Sequence, residues 1–226
     1  LLSNRGISSF WSVRVVRFTK PSKVIGLDIG THSIKAVQAV RSGSKIRVEG
    51  LGYAPVDRNR WSVDPIAAHA EAISAAIENL SASQSMLVGA LPGQSVVIRY
   101  PRLRNVSADQ IERAVEVEAS QNIPYDLADV NLDWSLLQEE SEGDERQLKV
   151  LLVAAKHEVI DSRVQVADAA GLEFSVLSVD SLALADAAEA CDYLRAGETV
   201  AMVNVGASSV SIHFAKDGTS NFIRDI

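Results

Sequence analysis

The chain has 226 residues, 47% of them hydrophobic, with a formal net charge of -7 and a pI near 5.1. That is enough for one large or two modest cores, and an acidic balance without a long basic run lacks the electrostatic footprint of a nucleic-acid-binding surface. A single cysteine, Cys191, excludes an intramolecular disulfide framework, and His32, His69, His157 and His213 lack metal-ligand spacing, which fits a reducing cytoplasm and no structural zinc.

Residues 1–22 carry Arg5, Arg14, Arg17 and Lys20 beside Phe10 and Trp11. They read as a disordered leader, with a membrane-surface or partner-binding arm as the other reading. The chain lacks an initiator Met and stops inside the strand-like "NFIRDI", so it reads as a fragment. The longest apolar run is about as long as Val150 to Ala155, far short of the roughly 20 residues that cross a bilayer.

From Val24 the pattern is β-rich: Val24 to Ile29, Ile34 to Val40 and Lys45 to Val56 read as strands, with turns at Gly30 and at "SGS", 42 to 44. Asp64-Pro65 then caps a helix whose Ile66, Ala70, Ile73, Ile77 and Leu80 make one core-facing stripe. Met86 to Leu103 reads as two strands around the turn "LPGQ". Ser107 with Gln110 is a capping-box signature for a helix with Ile111, Val115 and Ala119 on its apolar face, ending before Pro124.

Val130 to Gln138 alternates as a strand, "EESEGDER" at 139 to 146 reads as a solvated acidic loop, and Leu148 to Ala155 suits a buried strand. A helix over 157 to 170, with Ile160, Val164 and Ala167 on one face, stops at Gly171. The strand Glu173 to Asp180 leads into a helix over 182 to 195 that stops at Gly197 and places Cys191 in its apolar stripe as a small core residue. Thr199 to Gly206, Ser208 to Phe214 and Ser220 to Ile226 return to strands, with Asp217-Gly218 as a hairpin signal. The order of elements predicts an α/β architecture with an α+β piece inserted in its middle.

The most informative feature is internal. "VIGLDIGTHSIKAVQAVRSG" placed over "VAMVNVGASSVSIHFAKDG" at a constant offset of 176 aligns Gly30 with Gly206, Ser33 with Ser209 and Asp28 with Asn204, slipping by one residue only where "RSG" meets "KDG". One such repeat is what a duplicated half-domain leaves. Two facing hairpins, each offering backbone N–H groups from a glycine turn, suit an anion such as a phosphate chain. Thr31 and Ser33 add hydroxyl donors, and Lys35 adds charge. Asp28 can hold Mg²⁺ through water, as this reluctantly dehydrated ion prefers. Two ordinary hairpins are the other reading. A P-loop is excluded, because no GxxxxGK[ST] occurs.

At these residues the chain resembles the actin-like ATPase superfamily. "DIGTHSIK", 28 to 35, looks like its first phosphate motif, "NVGASSVSIHFAKDG", 204 to 218, like its second, and Asp180 in "LSVDSLAL" sits where its first connecting motif is expected. "EVEASQNIPYDLADVNLDW", 116 to 134, and "VLLVAAKHEVIDSRV", 150 to 164, are similar to the PilM family of type IV pilus assembly proteins, which is related to the cell-division protein FtsA. The resemblance covers roughly 23 to 226 and implies an actin-like, ribonuclease H-like fold.

By that resemblance, residues 23–83 and 150–197 form the first actin-like half, 84–149 an inserted small subdomain, and 198–226 the start of a truncated second half. It implies ATP with Mg²⁺ held by Asp28, Gly30, Thr31, His32, Ser33, Lys35, Asp180, Asn204, Gly206, Ala207, Ser208 and Ser209, the metal through Asp28 and water. It implies a cytoplasmic scaffold at the inner membrane that captures the N-terminal segment of the membrane protein PilN and meets other pilus platform and motor proteins, with self-association compatible.

Asn204 stands where active relatives carry Asp, and an amide has no charge and cannot act as a general base, so hydrolysis is expected to be weak or absent. An actin-like ATPase or small-molecule kinase, and a type II secretion platform domain with a vestigial pocket, are the alternatives.

Overall fold

The computed structural model describes residues 22–42, 45–107, 109–142, 145–217 and 219–226. Residues 1–21 of the expected leader, Gly43 and Ser44 of the "SGS" turn and Gly218 of the Asp217-Gly218 signal lie outside the described residues, while Ser22, expected in the leader, begins the first strand. Three sheets and five helices carry the described chain.

Strands β1 (Ser22–Ile29), β2 (Ser33–Ser42) and β3 (Lys45–Pro55) form an antiparallel meander. Strand β4 (Met86–Leu91) pairs parallel with β1, and β9 (Val176–Val179) pairs parallel with β4, giving the order β3-β2-β1-β4-β9. Alternation sends Ile25, Leu27, Ile34 and Ala36 to one face, where they are buried under the helices.

Two helices connect β3 to β4. The short α1 (Arg58–Val63) was not foreseen; Asp57 caps it by accepting from the N–H groups of Asn59 and Arg60. Helix α2 (Pro65–Ile77) begins as expected at Asp64-Pro65, and Asp64 accepts from the Ala67 N–H. Its core face differs from the expected stripe. Ala68, Ala72 and Ala76 are buried with Ile73 and Ile77, whereas Ile66 is exposed and Leu80 lies beyond the helix. Small residues let α2 approach the sheet closely: a Cβ on Gly52 of β3 would lie 1.8 Å from the Ala76 carbonyl oxygen.

The second sheet centres on β8 (Glu145–Lys156), with β7 (Val130–Glu142) on one side and β5 (Val96–Arg99) and β6 (Arg102–Arg104) on the other. Alternate β8 residues Leu148, Val150, Leu152 and Ala154 are buried against Val115 and Ala119 of α3 (Ile111–Asn122). The expected turn at "LPGQ" stands as a 3-10 turn at Gly93–Ser95 with a strand on each side, but β4 and β5 belong to different sheets and the second expected strand is divided into β5 and β6. Two expectations fail here. Ser107 does not cap α3, which starts after Gln110 without a side-chain cap. The acidic stretch is not a loop throughout, since β7 runs to Glu142 and β8 starts at Glu145, extending a hairpin whose strand pairing overrides the solvated charge pattern; 143–144 lie outside the described residues.

Helix α4 (His157–Ala169) packs on α2 through Val166, and Gly171 at φ 70 ends it as expected. The Gly171 and Leu172 N–H groups return to the carbonyls of Asp168 and Ala167, closing a Schellman motif. Helix α5 (Asp180–Ala190) ends earlier than predicted. Asp192, at φ 59, takes the left-handed position, with the Asp192 and Tyr193 N–H groups bonded to Glu189 and Ala188. Asp tolerates that conformation better than most residues, so the helix need not wait for Gly197. Cys191 is consequently exposed at the helix end, not in the core.

The third sheet is an antiparallel meander of β10 (Thr199–Val205), β11 (Val210–Lys216) and β12 (Thr219–Asp225). Its buried His213 meets the Ser181 carbonyl oxygen of α5 at 3.0 Å through Nδ1 and the Ser220 hydroxyl at 2.9 Å through Nε2. The Ser220 hydroxyl also meets the Tyr100 hydroxyl at 2.5 Å, tying this sheet to the second one. Among the described residues, no helix is long and apolar enough to cross a membrane.

Candidate functional site

The two repeat copies have the same local geometry. In the first turn the Gly30 N–H donates to the Ser33 carbonyl at 3.2 Å; in the second the Gly206 N–H donates to the Ser209 carbonyl at 2.9 Å. The strands close on Ile29 opposite Ile34 and on Val205 opposite Val210, equivalent pairs at the same offset. A Cβ on either glycine would stand 3.0 Å from its serine carbonyl, a tight contact that only glycine avoids. Both glycines therefore permit the turn to close on itself.

The turns also meet. Thr31 Oγ1 and Ser208 Oγ lie 2.8 Å apart, at the tips of hairpins from the first and third sheets. His32 and Ala207 are exposed beside them, while Ser33 is buried and Ser209 half-buried. The His32 carbonyl accepts from the Val56 N–H at 2.9 Å, tying the first turn to the end of β3.

Behind the first turn, Asp28 faces Lys35 across β1 and β2, with Nζ 2.7 Å from Oδ2. Both side chains are more than half exposed, so water screens this pair. The equivalent residues of the second copy, Asn204 and Ser211, face each other in the same register without charge.

Asp180 lies at the first residue of α5, where the helix N-terminus favours a carboxylate. Its Oδ1 accepts from the Gly93 N–H at 3.0 Å and from the Ser181 N–H at 2.6 Å. Burial raises its pKa above the ordinary carboxylate value, the two N–H bonds oppose that, and Asp225 and Asp28 raise it further. Sequence reasoning missed three neighbours. Arg163 of α4 donates from Nη1 to the Ile29 carbonyl at 3.3 Å, and a Cβ on Gly93 would lie 2.6 Å from Asp225 Oδ2 and 3.1 Å from Asp180 Oδ1. Burial also raises the Asp225 pKa. The glycine of "LPGQ" was the available signal, read as turn chemistry alone.

The structure thus brings together Asp28 to Lys35, Ser208 and, behind them, Asp180. The remaining predicted residues Asn204, Gly206, Ala207 and Ser209 follow on the second hairpin. Hydroxyls at touching tips, a lysine within reach and a carboxylate able to bind a hydrated cation are a donor set that fits a magnesium polyphosphate.

A family model for the type IV pilus assembly protein PilM matches residues 26–226. This chain belongs to the PilM family. A chain of the PilM-PilN type IV pilus biogenesis complex is similar to it with a TM-score of 0.74 and 24% identity, over 90% of this chain and 61% of that one. The cytoplasmic domain of EpsL, an inner membrane component of the type II secretion system of Vibrio cholerae, is similar with a TM-score of 0.52 and 16% identity, over 91% of this chain and 71% of that one. This PilM-family chain has the actin-like ATPase fold, an α/β architecture, and spans 61% of the pilus protein chain it matches.

Proposed function

We propose that this chain is the ATP-binding scaffold of a type IV pilus assembly apparatus, holding Mg·ATP between its two glycine turns. The observation that carries this reading is the 2.8 Å contact between Thr31 and Ser208, which sets two equivalent turns tip to tip. Because the Gly30 and Gly206 N–H groups are spent inside their turns, the phosphate donors would be the backbone and hydroxyls of Thr31 to Ser33 and Ala207 to Ser209. Lys35 would exchange Asp28 for phosphate, and Asp28 would take a hydrated Mg²⁺ in its place. Asp180 would face the cleft from α5. The cation would neutralise phosphate charge, and with an uncharged amide at Asn204 hydrolysis would be slow or absent.

On this reading residues 23–83 and 150–197 make the first actin-like half, 84–149 the inserted subdomain and 198–226 the start of the second half. The partner would be the cytoplasmic N-terminal segment of a PilN-type membrane protein, supported by family membership and by the likeness to a PilM-PilN complex. Contacts with other platform and motor proteins, self-association and a place at the cytoplasmic face of the inner membrane belong to the same proposal.

The test is Mg·ATP affinity of the protein at full gene length, wild type against Asp28→Ala, by titration calorimetry. A loss of about tenfold or more, about 1.4 kcal/mol, is expected. Equal affinity removes the proposed site and leaves an interaction module with a vestigial pocket. Capture of the PilN N-terminal segment on beads by the same wild-type protein is expected, and failure to capture it overturns the partner assignment.

A further inference from the structure

One half-buried cation lies behind the first turn. Arg163 reaches from α4 to the carbonyl of Ile29, the last residue of β1 and the one immediately before Gly30. Asp28 and Asp180 both act on this guanidinium: burial lowers its pKa, and the two carboxylates raise it in opposition. Asp225 shares the pocket with Asp180, since both approach the same point above Gly93. Two carboxylates, Asp180 and Asp225, therefore converge above Gly93, where a polyphosphate would add more negative charge. Lys35 is ion-paired with Asp28 on the exposed side, and Arg163 stands on the buried side.

We infer that Arg163 is a positioning residue of the proposed phosphate site, aiming the first turn through the Ile29 carbonyl while serving as a fixed counter-ion between Asp28 and Asp180. The inference rests on the nucleotide reading of the cleft. A guanidinium suits both tasks, because it stays charged when partly buried and its planar fork can donate to a carbonyl while its charge acts on neighbouring carboxylates. Without it, the Ile29 to Ser33 segment loses a tether to α4, and the carboxylates lean on an added cation. Arg163 thus reduces the Mg²⁺ concentration at which the cleft accepts phosphate.

Arg163→Met and Arg163→Lys in the full-length protein test this with two readouts, amide hydrogen exchange of residues 29–33 without nucleotide, and ATP affinity across a Mg²⁺ titration. The Met variant is expected to exchange faster in that turn, to lose about tenfold in affinity, and to need more Mg²⁺ for half-maximal binding. The Lys variant keeps the charge and is expected to recover most of the affinity. Wild-type exchange and affinity in the Met variant overturn the inference, as does equal loss of affinity in Met and Lys. If the Met variant does not fold, Lys alone decides: faster turn exchange with near-wild-type Mg²⁺ dependence supports the inference, and wild-type exchange overturns it. Asp28→Ala separates the two readings, since unchanged ATP affinity there defeats the nucleotide site while exchange in the Met variant still reports whether Arg163 holds the turn.

Discussion

Gly52→Ala tests how closely α2 sits on the first sheet. Gly52 faces Ala36 on β2, and its Cβ would lie 1.8 Å from the Ala76 carbonyl oxygen, 2.8 Å from the Ala76 carbonyl carbon and 3.3 Å from Ala36 Cβ. Excess volume against yielding side chains costs about 1–3 kcal/mol. Here the obstructing atoms are helix backbone, and α2 cannot yield at Ala76 without lifting Ala72 and Ile73 from the same core. A cost of about 3 kcal/mol corresponds to a melting midpoint about 6–12 °C lower for a chain of this size. Thermal unfolding followed by circular dichroism measures it, with Gly26→Ala as reference, because a Cβ there meets nothing within 4 Å. If Gly52→Ala melts together with Gly26→Ala, the argument that small residues set the α2 approach is wrong.

Three further outcomes follow from buried or paired polar groups. The Ser181 hydroxyl is buried with no hydrogen-bond partner among the described residues, so Ser181→Ala is expected to raise stability by about 1 kcal/mol in urea unfolding, and a loss would reveal a hidden partner. His213 has its pKa lowered from 6.5, first by burial, with the Ser181 carbonyl and Asp186 opposing. The unfolded chain then binds the extra proton first, so stability falls as pH drops below 6.5 toward the folded value; His213→Gln should flatten that slope in melts across this range, and an unchanged slope assigns it to other groups. A double-mutant cycle on Thr31→Val and Ser208→Ala should give a coupling of about 0.5–1.5 kcal/mol in urea unfolding, and strict additivity would mean that the tips do not touch in solution.

The parts legible in the sequence were those set by short-range chemistry. Glycine turns at 30 and 206, the Asp64-Pro65 start of α2 and the Gly171 stop of α4 each follow from local backbone preference, and each stands where expected. The illegible parts depend on distant partners. Nothing local in Leu91 to Val96 says that the chain leaves one sheet for another, because that is decided by β8, more than fifty positions later. The alanine face of α2 escaped a reading that follows large residues, and Asp192 ended α5 where a glycine was sought. Arg163 and Asp225 reach the candidate site from α4 and β12; Arg163 lies in the quoted stretch 150 to 164, but nothing local there marks it as a neighbour of the first turn, and Asp225 lies in no quoted motif. Asp28 and Asp180 stand as candidates because the repeat and the resemblance marked their positions.

The contact between Thr31 and Ser208 spans 177 positions, which sets an order of events during synthesis. At about 5–20 residues per second, roughly 9–35 s separate the emergence of the first tip from that of its partner. In that interval β1, β2, β3 and α2 have what they need to pack locally, since Ile25, Leu27, Ile34, Ala36, Ile73 and Ile77 all precede residue 78. The first turn can be in shape long before the second leaves the ribosome, so the contact between the tips forms by docking a late hairpin onto an early one. Translation speed between these two turns therefore becomes a variable of that docking, and slowing codons placed ahead of β10 would lengthen the time the first meander has to settle.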